Sequence, residues 1–174
     1  MPEPSQFNQS QLQTIREMLH QAEACLERFY CFSPREWFHY SYELLTAKDL
    51  PPELPARPPK VLGEILKKSE HPAGAADPSG PAAVYGIILF DANILRHLRE
   101  SSGVSFEHLT LYILTHELVH LARFFHLIDY DLPDSERIQE EQKVHRLTGL
   151  ILSQLGNPAL TELTQAYLSG EYSL

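Results

Sequence analysis

A run of bulky, uncharged residues from Leu109 to Ala122 surrounds two imidazoles and one carboxylate, at His116, His120 and Glu117. Apart from the histidines, Glu117 is the sole charged side chain in this run. A helix that is apolar almost all round must be covered on every side. The sequence therefore predicts a helix from Ser105 through Phe125 at the centre of the domain. Burying two imidazoles and a carboxylate without partners is costly, so these three groups need a purpose.

The spacing of the three polar residues suits a metal ion. Side chains four residues apart on a helix share one face, with Cβ atoms roughly 5–6 Å apart, so His116 and His120 can each give one ring nitrogen to a single ion. Glu117 lies about 100° round the helix, where a general base can take a proton from metal-bound water. A metal lowers the pKa of that water to about 7. The alternative is a core helix with two satisfied histidines and Glu117 on its solvated edge.

The segment from His116 to His120 resembles the His-Glu-x-x-His motif of the zincin metallopeptidases. The resemblance implies Zn2+ as cofactor, Glu117 as catalytic base and a peptide or protein as substrate. A catalytic zinc usually takes three protein ligands and keeps one position for water. In the glutamate zincins the third ligand is a Glu from the next helix. Glu140, twenty residues beyond His120, is similar to that ligand in position.

Glu140 and Glu141 both lie in an acidic helix that the sequence predicts from about Pro133 to Leu155. The apolar residues that would mark its inward face are Val144, Leu147, Ile151 and Leu155. Glu140 lies within their stripe, and Glu141 falls about 100° further round, at its edge. Glu140 is therefore the predicted ligand, with Glu141 in reserve because helix boundaries read from a sequence vary by several residues.

His126 offers another third ligand, ten residues after His116. Its spacing resembles the three-histidine metzincins and the metal-dependent endoribonucleases that mature ribosomal RNA. Both families bend the chain at a glycine, which is replaced here by Arg123. With no helix breaker from Leu121 to Phe125, the helix is expected to continue, and His126 then points about 280° from His116, away from the metal. The endoribonucleases also lack a glutamate where Glu117 stands.

Arg123 lies on the ligand face of the helix, three residues past His120. It has two predicted roles. It can pair with Glu140 or Glu141, or it can assist catalysis by holding a substrate carboxylate or the developing oxyanion.

The sequence departs from the glutamate zincins at Val144, where those proteins have an Asp. The outer-shell partner of a ligand histidine must therefore come from elsewhere. The candidates are Asp129, Asp131 and Glu136. His145 is either a proton donor or an ordinary surface histidine.

The rest of the chain predicts an α+β fold. Helical apolar spacing marks the segments 9–30, 61–68, 91–99, 133–155 and 159–168. Strand-like patterns mark 38–44 and 84–90, and loops rich in proline or glycine mark 50–60 and 69–81. The prediction is one mostly helical, zincin-like domain over 1–174, with a small β-sheet and a metal-binding helical pair at 105–155.

The strand over 84–90 has two interpretations. In zincins the strand before the metal helix often forms the edge along which a peptide is laid, so by resemblance Tyr85 to Phe90 is a candidate substrate edge. The other interpretation is a central core strand. Asp91, Ala92 and Asn93 follow it and can cap the next helix.

The charge balance restricts the partners. The 174 residues include 14 basic and 23 acidic side chains, a formal net charge of −9 with histidines neutral. This disfavours nucleic acid or an anionic membrane as a non-specific partner. No secretion signal is visible and no apolar run approaches the roughly 20 residues that span a bilayer, so a cytoplasmic protein is expected. Cys25 and Cys31 are interpreted as ordinary thiols, and nothing specifies an oligomeric state.

Together these observations predict a zinc-dependent peptidase in which His116, His120 and Glu140 bind the metal. Glu117 would be its catalytic base, assisted by Arg123. Two other classes stay open: a zincin-fold binding or regulatory protein without turnover, and a three-histidine metal-dependent endoribonuclease. Two histidines and one carboxylate also suit iron(II) or nickel.

Overall fold

The computed structural model describes residues 6–33, 41–51, 57–70, 83–126, 128 and 130–170. Within these ranges five α-helices accompany a small three-stranded mixed sheet, which is the α+β class predicted from the sequence. The elements in chain order are α1 Gln9–Tyr30, β1 Ser41–Leu45, β2 Gly63–Glu70, β3 Ala83–Leu89, α2 Asp91–Glu100, α3 Phe106–His126, α4 Asp134–Ser153 and α5 Pro158–Leu168.

α3 is the central helix, as its apolar surface predicts. Every residue from Leu109 to Ala122 is buried except His120, which is partly exposed. The helix packs against α1, α4, α5 and β2. The Ser105 hydroxyl accepts a hydrogen bond from the His108 N–H at 3.1 Å and so satisfies a backbone donor of its first turn.

β3 is the central strand of the sheet. It pairs with β1 in parallel on one side and with β2 antiparallel on the other. Because both of its edges are occupied, the prediction that Tyr85 to Phe90 forms a substrate edge is wrong. The alternative interpretation, a core strand, is confirmed. Within the described sheet, β2 is the strand beside the central helix that keeps one edge unpaired.

β2 replaces the short helix that the sequence predicts at 61–68, and that prediction is wrong. Leu62, Ile65 and Leu66 have helix-like spacing, but Gly63–Glu70 pairs with β3, with one register shift between Lys67 and Ser69. Leu62 and Ile65 are buried while Leu66 is 37% exposed. Long-range pairing therefore outweighs the local pattern. β2 also runs into the predicted loop at 69–81, of which residues 71–81 lie outside the described ranges.

Asp91 and Asn93 tie neighbouring segments to α2, although α2 begins without the side-chain cap that was predicted for it. The Asp91 carboxylate accepts two backbone N–H hydrogen bonds, one of them from Ala47 at 2.9 Å. The Asn93 amide donates to the carbonyls of Pro58 and Val61 at 3.0 and 2.8 Å. The two Asn93 bonds anchor the chain immediately before β2.

Two other predictions concern thiols and membranes. Cys25 is buried in α1 and Cys31 is exposed at the end of that helix, and both are free thiols, as predicted. Among the described helices, none combines the length and the apolar character that crossing a membrane requires.

Candidate metal centre

α3 and α4 bring three potential ligands to one point. The Nε2 atoms of His116 and His120 lie 3.2 Å apart. The two oxygens of Glu141 meet them at 2.8 and 3.1 Å respectively. In a tetrahedral zinc site with bonds of about 2.0–2.1 Å, neighbouring ligand atoms are about 3.3 Å apart. The donor atoms and their spacing therefore fit a metal ion.

Glu141, the reserve candidate, reaches the imidazoles, whereas Glu140 meets a different partner. Glu140 faces inward as predicted and is only 5% exposed. Its carboxylate binds the Arg123 guanidinium, with Nη2 donating to Oε2 at 2.9 Å and Nε donating to Oε1. A buried carboxylate needs a partner, and a cation from α3 supplies it. The geometry thus favours Glu141 over Glu140 as the third ligand, and Arg123 makes the ion pair that was one of its two predicted roles.

The three-histidine alternative depends on a bend after the motif. α3 instead continues as a helix through Arg123 to His126. The His126 side chain lies outside the described residues, so its assignment as a ligand stays a prediction.

The protonation states of the three candidate ligands are linked. Burial lowers the pKa of His116 to about 4. Burial alone would also lower the pKa of His120, but the hydrogen bond and charge of Glu141 outweigh it and raise that pKa. Burial would raise the pKa of Glu141, but the hydrogen bonds from both imidazoles hold it far below its usual range. A metal that binds here must displace a proton, so its affinity should fall at low pH.

Glu117 lies beside the three ligands and is 4% exposed. Burial raises its pKa to about 7, and the charge of Glu141 adds to that effect. The β2 backbone comes close to it at Gly63, where an added Cβ would stand 2.9 Å from the Glu117 Oε1 and 2.9 Å from Ile113. Position 63 therefore needs a glycine where β2 passes close to Glu117 and Ile113. The sequence alone did not reveal this requirement.

The outer shell of the histidines differs from the expected pattern. The Nδ1 atoms of His116 and His120 are buried and have no hydrogen-bond partner among the described residues. Ligand histidines usually donate this second N–H to a carboxylate or carbonyl. None of the predicted partners fills the role in the described part of the chain: Asp131 and Glu136 are exposed, and Asp129 lies outside the described residues.

Two further side chains adjoin the ligands. The Tyr112 hydroxyl lies 2.8 Å from His145 Nδ1, and His145 Nε2 lies 3.6 Å from the Glu141 Oε1. From the sequence no role was predicted for Tyr112, and His145 was predicted to be either a proton donor or a surface histidine. Helical spacing could have found both, since Tyr112 precedes His116 by one turn and His145 follows Glu141 by one turn.

A cavity of about 270 Å³ opens over the centre. The first residues of β2 form one wall, and the two motif histidines with Glu117 form another. Further lining comes from Phe124, Tyr130, Asp131, Leu132, Arg137, Glu140 and Glu141. The Phe124 ring stacks on His120 with centroids 5.8 Å apart, so an aromatic surface adjoins the ligand atoms.

Comparison with known proteins gives no family for this chain. No family model matches it, and neither a curated protein nor a solved structure does so. The candidate metal site of two histidines and one glutamate therefore rests on the geometry of the centre alone.

Proposed function

We propose that this chain is a metal-dependent hydrolase of the peptidase type, with His116, His120 and Glu141 as ligands and Glu117 as general base. The observation that carries the proposal is the convergence of the three ligand atoms within 4.8 Å of one another, beside a buried glutamate. Zn2+ is the proposed ion because imidazole and carboxylate ligands at this spacing suit it. Such an ion supplies a coordinated water of lowered pKa and a Lewis acid for the scissile carbonyl.

The ionisation of Glu117 supports a role in proton transfer. A group that accepts and returns a proton works best with a pKa near the operating pH, and burial brings the pKa of Glu117 to about 7. Arg123 pairs with Glu140, and we assign its contribution to the centre to that ion pair. The contact of Arg123 with substrate stays a prediction.

The edge of β2 that has no strand neighbour in the described sheet supports a peptide as substrate. The Phe90 N–H donates to the Leu62 carbonyl at 3.0 Å, so the alternation of an antiparallel ladder turns the backbone of Gly63 and Ile65 away from β3. The Tyr130 hydroxyl donates to the Ile65 carbonyl at 2.9 Å. In the described sheet the Gly63 backbone and the Ile65 N–H are not paired with β3. Both residues are buried, but they line the cavity, and an extended peptide that enters the cavity would pair with them. β2 thus takes the place of the substrate edge first predicted on β3.

Metal content and hydrolysis test the proposal separately. Elemental analysis of protein purified without chelator identifies the ion, and a peptide library detects hydrolysis. Glu117→Gln should keep the metal and slow hydrolysis by about 10²–10⁴-fold, because it removes the base and leaves the ligands. Glu141→Gln should lose the metal. Glu140→Gln is the matched control, with the same chemical change one residue away, and should keep it.

Three outcomes would contradict parts of the proposal. Full activity in Glu117→Gln would remove Glu117 from its role. Metal retained by Glu141→Gln but lost from His126→Ala would favour the three-histidine site instead. Bound metal without hydrolysis of any peptide would favour a binding or regulatory protein.

A further inference from the structure

Tyr112 and His145 form a polar chain that ends on Glu141. Tyr112 lies on α3 and is fully buried, with its ring stacked on Tyr167 at a centroid distance of 4.3 Å and an interplanar angle of 9°. Its hydroxyl contacts Nδ1 of His145 at 2.8 Å. His145 lies one turn after Glu141 on α4, and its Nε2 faces the Glu141 Oε1 at 3.6 Å.

The direction of this chain follows from its donors and acceptors. A neutral imidazole carries one N–H. If Nδ1 carried it, the Tyr112 hydroxyl hydrogen would have no acceptor within the described part of the chain, and the Nε2 lone pair of His145 would face a carboxylate. If Tyr112 donates to Nδ1, the hydroxyl is satisfied and Nε2 presents its N–H to Glu141. The second arrangement avoids both an unsatisfied buried hydroxyl and a repulsive contact.

We propose that Tyr112 and His145 are positioning residues that keep the Glu141 carboxylate turned toward His116 and His120. The need for them lies in the exposure of Glu141, whose side chain is 38% accessible and would otherwise sample solvent-facing rotamers. The 3.6 Å between His145 Nε2 and Glu141 Oε1 is too long for a hydrogen bond. His145 therefore acts on Glu141 through the attraction between its fixed N–H dipole and the carboxylate charge. This inference rests on the proposed metal centre, because its consequence is a higher affinity for the ion.

Tyr112→Phe tests the proposal, since it removes the hydroxyl and keeps the stacked ring. Losing an outer-shell partner typically lowers metal affinity by about 10–100-fold, and we expect a loss of about tenfold for Zn2+ in competition with a chromophoric chelator. Tyr42→Phe is the matched control. It removes a hydroxyl that donates to the Glu23 carboxylate, outside the residues that line the centre, and should leave Zn2+ affinity unchanged. Thermal unfolding confirms that both variants fold.

Repeating Tyr112→Phe in a His145→Gln variant distinguishes a positioning role of the Tyr112 hydroxyl from an effect on packing. The amide of His145→Gln can present an N–H near the position of Nε2 without help from Tyr112. In that background Tyr112→Phe should no longer change Zn2+ affinity, whereas a packing effect would lower it equally in both backgrounds and would overturn the proposal. Wild-type affinity in Tyr112→Phe alone would overturn it as well.

The tautomer of His145 gives a readout that needs no metal. Long-range ¹H–¹⁵N spectra of the metal-free protein at about pH 8, where the free imidazole is neutral, should show the proton on Nε2. Tyr112→Phe should give a mixture of tautomers. A proton on the His145 Nδ1 in the wild type would refute the proposed hydrogen bond from Tyr112 to His145. If the wild type binds no metal but has the Nε2 tautomer, the proposed function fails while the arrangement of Tyr112 and His145 stands.

Discussion

Replacing Glu117 by Gln should stabilise the metal-free protein at neutral and alkaline pH. Burial raises the pKa of Glu117 from an ordinary 4.5 to about 7, so the native state holds this proton more tightly than the unfolded chain does. Between pH 4.5 and about pH 7 the native state binds more protons than the unfolded state does. The free energy of unfolding therefore falls as the pH rises through this interval. At 1.36 kcal/mol for each pKa unit, the ionised Glu117 costs roughly 3 kcal/mol once the pH exceeds its native pKa. Gln has nearly the same shape and does not ionise, so the Glu117→Gln variant lacks this cost at every pH.

Urea unfolding of both proteins in the presence of a chelator measures the effect. The advantage of Glu117→Gln in the free energy of unfolding should be small near pH 4.5, grow through the interval, and level off near pH 8 at roughly 3 kcal/mol. Groups that do not interact with Glu117 cancel in the difference. His120 does not cancel fully, because the charge of Glu117 helps to raise its pKa. A difference that does not vary with pH, or one that shrinks as the pH rises, would refute the assignment of a raised pKa to a buried Glu117.

Two further substitutions test the packing around the centre. Arg123→Met should lower the free energy of unfolding by about 3–5 kcal/mol, because Glu140 is left buried without a cation. Adding Glu140→Met should recover most of that loss. Equal losses in the single and double variants, measured by urea unfolding, would contradict this. Gly63→Ala should cost about 1–3 kcal/mol, because its Cβ would stand 2.9 Å from Glu117 and from Ile113. Thermal unfolding checks this, and wild-type stability would mean that β2 can shift away.

The parts of the centre that lie on one helix could be predicted from the sequence. The fold class, the central position of α3 and the shared face of His116 and His120 follow from apolar spacing and helix geometry. The choice between Glu140 and Glu141 could not be made in this way. It depends on which carboxylate meets Arg123 across the α3–α4 contact, and a periodic pattern within one helix contains no information about the partner helix.

β2 illustrates the same limit for the sheet. Its local apolar spacing is compatible with a helix, and only pairing with β3 makes it a strand. The consequence reaches the site, since the strand brings the Gly63 backbone against Glu117. Sequence patterns thus located the polar groups of α3, but the wall that faces them is formed by a contact between segments far apart in the chain.

The three glutamates of the centre differ in chemistry because they differ in partners. Glu140 is buried against a guanidinium, which fixes it as a link between two helices. Glu141 accepts hydrogen bonds from two imidazoles, which keep its pKa low and leave it ionised, as a metal ligand must be. Glu117 is buried with no arginine or lysine in contact among the described residues, and its pKa rises to about 7. Glu141 and Glu117 are therefore neighbouring carboxylates whose pKa values are driven apart. Proteins use such a pair to separate an ionised group from one that exchanges a proton, and here the proton is assigned to Glu117.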